Sequence, residues 1–178
     1  MCSSFGFDDS DVADLVKAGY AKGVPMGGDL PASPDGKAPT FLIAAMKDPE
    51  GANLDRVQVI KGWLGADGKT NEKVYDVKWS GDRTPGADGK LPAVGNTVDV
   101  KTATYQNSIG APELVAIWSD PDFDAKLKAV YYVRVLEIPT PRWTDYDMVR
   151  FKSTMPAKVT MTLQERAFTS PIWYMPAT

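Results

Sequence analysis

Arg56-Val57-Gln58-Val59-Ile60-Lys61-Gly62-Trp63, followed by Asp67-Gly68 and then Glu72-Lys73-Val74-Tyr75-Asp76-Val77-Lys78-Trp79, is the stretch that decides the fold. In its second half Tyr75, Val77 and Trp79 alternate with Asp76 and Lys78, the period of two of a half-buried strand. Asp67-Gly68 between the halves is a hairpin signal, because glycine accepts the positive φ that a tight turn needs. A β-hairpin cannot bury its apolar face alone, so more strands must follow on either side.

They do. Upstream, Thr40-Phe41-Leu42-Ile43-Ala44-Ala45-Met46 is a short apolar run stopped by Asp48-Pro49 and reads as a buried strand. Downstream, residues 96–105 are rich in β-branched side chains, residues 113–119 carry Leu114, Val115, Ile117 and Trp118, and residues 130–138 form the clearest strand of all. Residues 164–174 read as a closing strand interrupted by Pro171, which suits an edge or a bulge. Helix is scarce: a short one over 8–20 and a turn near 145–151. Residues 23–39 and 80–95 are loops dense in glycine and proline. Ala66-Asp67-Gly68-Lys69 and Ala87-Asp88-Gly89-Lys90 read as one turn chemistry used twice. The pattern predicts a mostly β protein: an antiparallel β-sandwich of immunoglobulin-like kind with long Gly/Pro-rich loops and little helix. Residues 1–37 form a lead-in segment, and residues 38–178 form the sandwich.

Composition narrows function by exclusion. The 178 residues, 43% of them apolar, are enough for one domain with its own core. There is no histidine, which removes imidazole zinc sites, the Ser-His-Asp and Cys-His machines and the usual near-neutral proton shuttle. The single cysteine, Cys2, cannot form an internal disulfide. The net charge of −3 argues against nucleic acid or an anionic membrane as partner. No apolar run reaches the ~18 residues of a membrane span. No cofactor is expected.

Pro25-Met26-Gly27-Gly28-Asp29-Leu30 is glycine-rich but lacks the Gly-Lys-Ser/Thr ending of a phosphate loop. It reads as a turn, or as backbone that approaches a partner closely. Asp120, Asp122 and Asp124 have calcium-loop spacing, yet Ala125 and Tyr131 stand where an EF-hand needs glycine and glutamate. A solvated acidic turn is the expectation there. Trp63, Trp79 and Trp118 lie in strand patterns and read as core. Trp143 differs. It sits in the proline-stiffened Pro139-Thr140-Pro141-Arg142-Trp143-Thr144-Asp145-Tyr146, where Arg and aromatic side chains suit an interface hot spot. Arg134 with Glu137, and Glu165 with Arg166, read as ion pairs at sheet ends. No set of residues reads as catalytic.

Several strings resemble a large bacterial family labelled domain of unknown function 3604. They include Gly19-Tyr20-Ala21-Lys22-Gly23-Val24-Pro25-Met26-Gly27-Gly28-Asp29-Leu30-Pro31 and Asp48-Pro49-Glu50-Gly51-Ala52-Asn53-Leu54-Asp55-Arg56-Val57-Gln58-Val59-Ile60-Lys61-Gly62-Trp63. Tyr131-Tyr132-Val133-Arg134-Val135-Leu136-Glu137-Ile138-Pro139-Thr140-Pro141-Arg142-Trp143-Thr144 and the ending Thr169-Ser170-Pro171-Ile172-Trp173-Tyr174 resemble it too. The resemblance runs from about Phe5 onward. Larger members look like metal-dependent hydrolases of the polymerase and histidinol phosphatase type. Their N-terminal part holds divalent metals in strings such as Asp-Leu-His-x-His, which this chain lacks. The resemblance therefore implies the C-terminal β-sandwich of such a protein, either as a fragment or as a stand-alone product, and family members are usually exported.

The expected function is a non-catalytic accessory domain that packs on a metallohydrolase catalytic domain or self-associates. The expected contact residues are Met26, Gly27, Gly28, Asp29, Arg142, Trp143 and Tyr146, all in Gly- or Pro-shaped segments. A free-standing module for carbohydrate or protein is the alternative, and an autonomous hydrolase a remote one.

Overall fold

A computed structural model describes residues 1–176 of the protein. Strand β1 (Cys2–Ser4) leads through a 3-10 turn over Asp9–Asp14 into helix α1 (Leu15–Lys22). The short β2 (Val24–Pro25) and β3 (Asp29–Leu30) precede the long strands β4 (Thr40–Met46), β5 (Leu54–Leu64), β6 (Thr70–Trp79), β7 (Glu113–Ser119) and β8 (Ala129–Glu137). After β9 (Thr140–Pro141) come helix α2 (Trp143–Phe151), β10 (Thr162–Leu163), β11 (Arg166–Phe168) and β12 (Ile172–Tyr174). One sheet has the order β2-β1-β4-β7. The larger has the order β3-β12-β8-β5-β6, with β11 also paired to β8, and β9 and β10 form a separate ladder. All pairings are antiparallel except β12 with β3.

The two sheets stack as a β-sandwich, and the alternation seen in the sequence says which side chains point between them. Val57 and Val59 of β5 and Tyr131 and Val133 of β8 are fully buried against Phe41 and Ile43 of β4, Leu114 of β7, and Ile172 and Tyr174 of β12. Each such aliphatic or aromatic side chain contributes about 1.5–3 kcal/mol by leaving water. Phe41 and Tyr131 meet at a ring-centroid distance of 4.8 Å, within the tilted geometry aromatic pairs favour. A second, smaller cluster of Phe7, Ala18 and Leu42 seats α1 on the outer side of the smaller sheet.

The β5–β6 hairpin forms as its sequence predicts. Gly68 has φ +75°, its N–H donates to Gly65 O at 2.9 Å, and Gly65 N–H donates to Lys69 O at 2.8 Å. The second Asp-Gly turn repeats this with Gly89 at φ +72°, bonding to Gly86, which in turn bonds to Lys90. Pro171 interrupts the closing strand as expected: β11 and β12 pair with different halves of β8 on either side of it.

Two expectations give way. Residues 96–105 are not a strand beyond one isolated bridge between Asp99 and Thr104. Asn96 Oδ1 accepts from Val98 N–H and Asp99 Oδ1 from Lys101 N–H, so short polar side chains take backbone donors that a ladder would need. Residues 23–39 are not wholly a loop, because β2 joins β1 and β3 joins β12. The lead-in segment thus supplies β1 to the smaller sheet, β3 to the larger, and Leu30 to the core between them.

Candidate functional site

Apart from Asp145, the buried Asp and Lys side chains are tied into pairs. Lys61 Nζ, on the inner side of β5, lies 2.6 Å from Asp120 Oδ2, and both side chains are at least 95% buried. Tyr131 Oη–H donates to the same carboxylate at 2.7 Å, and Lys61 also donates to the Asp122 carbonyl. Burial, then the neighbouring Asp120 charge, pushes the Tyr131 hydroxyl far above its ordinary range. Asp122 accepts from Lys73 and from Tyr75 Oη, and these two hydrogen bonds hold its carboxyl below the ordinary value. The acidic turn at residues 120–124 is therefore not a free solvated loop. It is clamped to β5, β6 and β8, because Lys61 and Tyr131 project inward and their polar ends need partners.

A second network lies at the far end of β5. Asp55, 1% exposed, accepts from Arg56 Nε and from Gln164 Nε2, while Arg83 Nη2 stands 2.7 Å from its other oxygen as an ion pair. Arg134 donates to Gln58 Oε1, and the expected pairs with Glu137 and within Glu165-Arg166 do not form among the described residues. Burial, then Glu165, raises the Glu137 carboxyl. The paired groups brace strands, while Glu137 and Glu165 line a cleft of about 470 Å³ together with Lys47, Asp48 and Arg166.

The expected contact residues fall into two groups. Gly27 N–H donates to Pro171 O, Trp173 N–H donates to Gly28 O, and Asp29 lies beside Trp173 in the ladder, so the 26–29 loop stitches the chain to β12. Gly27 has φ +90°, a conformation that favours glycine. Met26 stays half exposed. Arg142, Trp143 and Tyr146 open helix α2, with the Arg142 guanidinium 5.9 Å from the Trp143 ring. β12 meets the first residues of β8, whereas α2 follows after β8 ends, so the strand's length separates the two groups. No hydrogen bond among the described residues joins them.

An apolar surface on the larger sheet escaped the sequence reading. Alternation puts Trp173, Val130 and Gly62 in one outward row that ends at Glu72, and Tyr132, Ile60 and Val74 in the next. Phe168 lies beyond, in a row with Arg134, Gln58 and Asp76. Phe168 is 59% exposed and Trp173 49%, and Leu64, Val74 and Met175 are also exposed. The end of this face is hollowed into an apolar bowl of about 270 Å³ over Gly62, walled by Trp63, Leu64, Trp173 and Met175. The alternation in β6 and β8 carried a signal of it: Val74 and Tyr132 sit where a solvated face would have polar residues.

Among the described residues, no group of three or more Cys, Asp or Glu side chains is placed to hold a metal ion, and no helix is long and apolar enough to cross a membrane. A family described as "Protein of unknown function (DUF3604)" matches residues 1–176. No curated protein and no solved structure matches the chain.

Proposed function

We propose, given that this chain belongs to the DUF3604 family of proteins of unknown function, that it is a non-catalytic accessory β-sandwich that packs on a metal-dependent hydrolase domain. The observation that carries this reading is the set of exposed Phe168, Trp173, Met175, Leu64 and Val74 side chains on the outer face of the larger sheet. An antiparallel sheet that faces water normally presents polar side chains there. Large contiguous apolar surfaces mark interaction sites. The 26–29 loop borders this face through Asp29, next to Trp173, and so belongs to the same contact. The pairing of Lys61 with Asp120 and of Arg56 and Arg83 with Asp55 supports a role by contact, since these buried charged groups are occupied with one another. The resemblance of the chain to the C-terminal region of larger metallohydrolase-like proteins supplies the nature of the partner.

A sugar platform on the same face is less well supported. Stacking on a pyranose ring favours coplanar aromatics, and the Tyr132 and Phe168 rings are inclined by 44°. The test is titration calorimetry of this chain against the separately produced metallohydrolase part of a full-length relative. Binding is expected, and Phe168→Glu or Trp173→Glu is expected to weaken it by about 2 kcal/mol, roughly 30-fold in Kd. Absence of binding, or binding that neither substitution changes, would refute the reading.

A further inference from the structure

The smaller sheet lacks a strand over half its length. β1 covers β4 only from Thr40 to Leu42, so no strand among the described residues pairs with residues 43–46 on that side. Lys47 N–H donates to Pro112 O at 2.9 Å, which sets the alternation of the β4–β7 ladder. Ile43 and Ala45 bond toward β7, and the N–H and C=O groups of Ala44 and Met46 point to the open edge. In the larger sheet the matching place is filled, because β11 pairs with the second half of β8. The inner row of β8 records the gap: Tyr131 and Val133 are fully buried, whereas Val135 and Glu137 are only half-buried. Ala167, opposite Val135, is exposed although it faces inward.

The 470 Å³ cleft lies in this gap, with Ala45 on one side and Val135 and Ala167 on the other. Alternation along β8 and β11 puts Glu137 and Glu165 on the same inner side, opposite each other where Glu137 N–H donates to Glu165 O at 3.0 Å. Like charges placed directly opposite repel. Glu165 and Asp48 both add to the effect of burial in pushing the Glu137 carboxyl up. Neither glutamate takes part in an ion pair among the described residues. The two cations at the cleft are turned elsewhere. Lys47 Nζ donates to the carbonyls of Asp48, Pro49 and Gly51 at 2.9–3.0 Å. Arg166, two places from Phe168, shares its outer face. The inner side of the gap is thus apolar with an uncompensated negative end.

We infer that this cleft takes an extended segment of a partner protein as an added strand on the open edge of β4, with a lysine or arginine side chain set against Glu137 and Glu165. The free N–H and C=O groups of Ala44 and Met46 supply main-chain bonds, and alternate side chains of the segment supply specificity. Its inward side chains, two places apart, are one apolar residue beside Ala45 and one cation at the glutamate pair. The β4 edge of a second copy would bring the same carboxylates and is repelled, so inward charge selects a basic occupant over self-pairing. The cleft lies on the inner side of the larger sheet and the hydrolase contact on its outer face, so the two readings fail separately.

The test is titration of the full chain, followed by amide NMR, with the blocked peptide acetyl-Thr-Val-Thr-Lys-Thr-amide, whose valine and lysine share one face when extended. The expected result is saturable shifts at the Ala44 and Met46 amides. A peptide with glutamate in place of the lysine should bind about tenfold more weakly. Methylating the threonine amide nitrogens, which would face β4, should abolish binding. In the double variant Glu137→Gln, Glu165→Gln, the lysine and glutamate peptides should bind alike, and an otherwise unchanged amide spectrum shows that the variant is folded. No saturable shift at about 5 mM lysine peptide overturns the inference. So do shifts centred on Trp173 and Phe168 instead of Ala44 and Met46, and so does equal binding of the two peptides by the unaltered chain.

Discussion

Asp145 is the residue whose environment is least satisfied. It is fully buried in the first turn of α2, and neither carboxylate oxygen has a hydrogen-bond partner. Its position at a helix start is favourable by about 0.3–1 kcal/mol, but an unpaired buried polar group costs about 1–3 kcal/mol, so the cost wins. Burial raises its carboxyl above the ordinary 3.8, and Asp99 adds to the rise. The folded state therefore holds this proton more tightly than the unfolded chain. The stability it contributes is complete below the ordinary value and is lost as pH rises through the higher folded value. Asp145→Ala should accordingly raise the urea midpoint at neutral pH, by about 1 kcal/mol of stability, and remove the fall in stability that Asp145 contributes as pH rises through its folded value. A variant less stable than the parent at pH 7 would show that a partner for Asp145 exists. Lys61 and Asp120 make the opposite case. Lys61→Met strands a buried carboxylate and should cost about 3–5 kcal/mol, whereas adding Asp120→Asn should cost less than the two single changes summed, as read from urea unfolding.

At the scale of elements, turns separate a mild from a severe glycine requirement. Gly68 closes the β5–β6 hairpin with positive φ, but a Cβ there would meet nothing within 4 Å. Gly68→Ala should cost only the left-handed backbone penalty, about 1–2 kcal/mol. Gly110 also has positive φ, and a Cβ there would stand 2.6 Å from Asn53 Cβ and 2.7 Å from Ile138 Cγ2. Gly110→Ala should add an overpacking cost of about 1–3 kcal/mol and lower the melting temperature clearly further than Gly68→Ala. Equal melting temperatures for the two variants would show that the 110 loop yields. Most long strands were legible because their signals are local: alternation in β6, apolar runs in β4 and β7, Asp-Gly at the turn. Residues 96–105 misled because β-branched side chains report only a preference for pleated surface. Whether a strand forms there depended on Asn96 and Asp99 capturing backbone donors nearby.

For the whole molecule, the lead-in segment decides whether the sandwich can stand. β1 pairs with β4, β3 pairs with β12, and Leu30 is in the core. A chain reduced to residues 38–178 should therefore lose cooperative unfolding and aggregate, since β4 and β12 become open edges beside an uncovered core. A sharp thermal transition from that shortened chain would contradict this. The seven contact residues were chosen for lying in Gly- or Pro-shaped segments. Sequence distance gave no means of seeing that 26–29 and 142–146 sit at opposite ends of β8. Nor did it reveal that Phe168 and Trp173, read as parts of a closing strand, face outward beside Tyr132.

Chain order alone determined the β class, the hairpin, both Asp-Gly turns, the break at Pro171 and the absence of any imidazole, because each follows from the preferences of neighbouring residues or from composition. Three-dimensional packing alone decided which strands became neighbours, that Asp120 is buried against Lys61 instead of solvated, and which aromatic rings remain in water. Those outcomes depend on pairing between segments far apart in sequence, where one register sets the facing of every side chain on a strand.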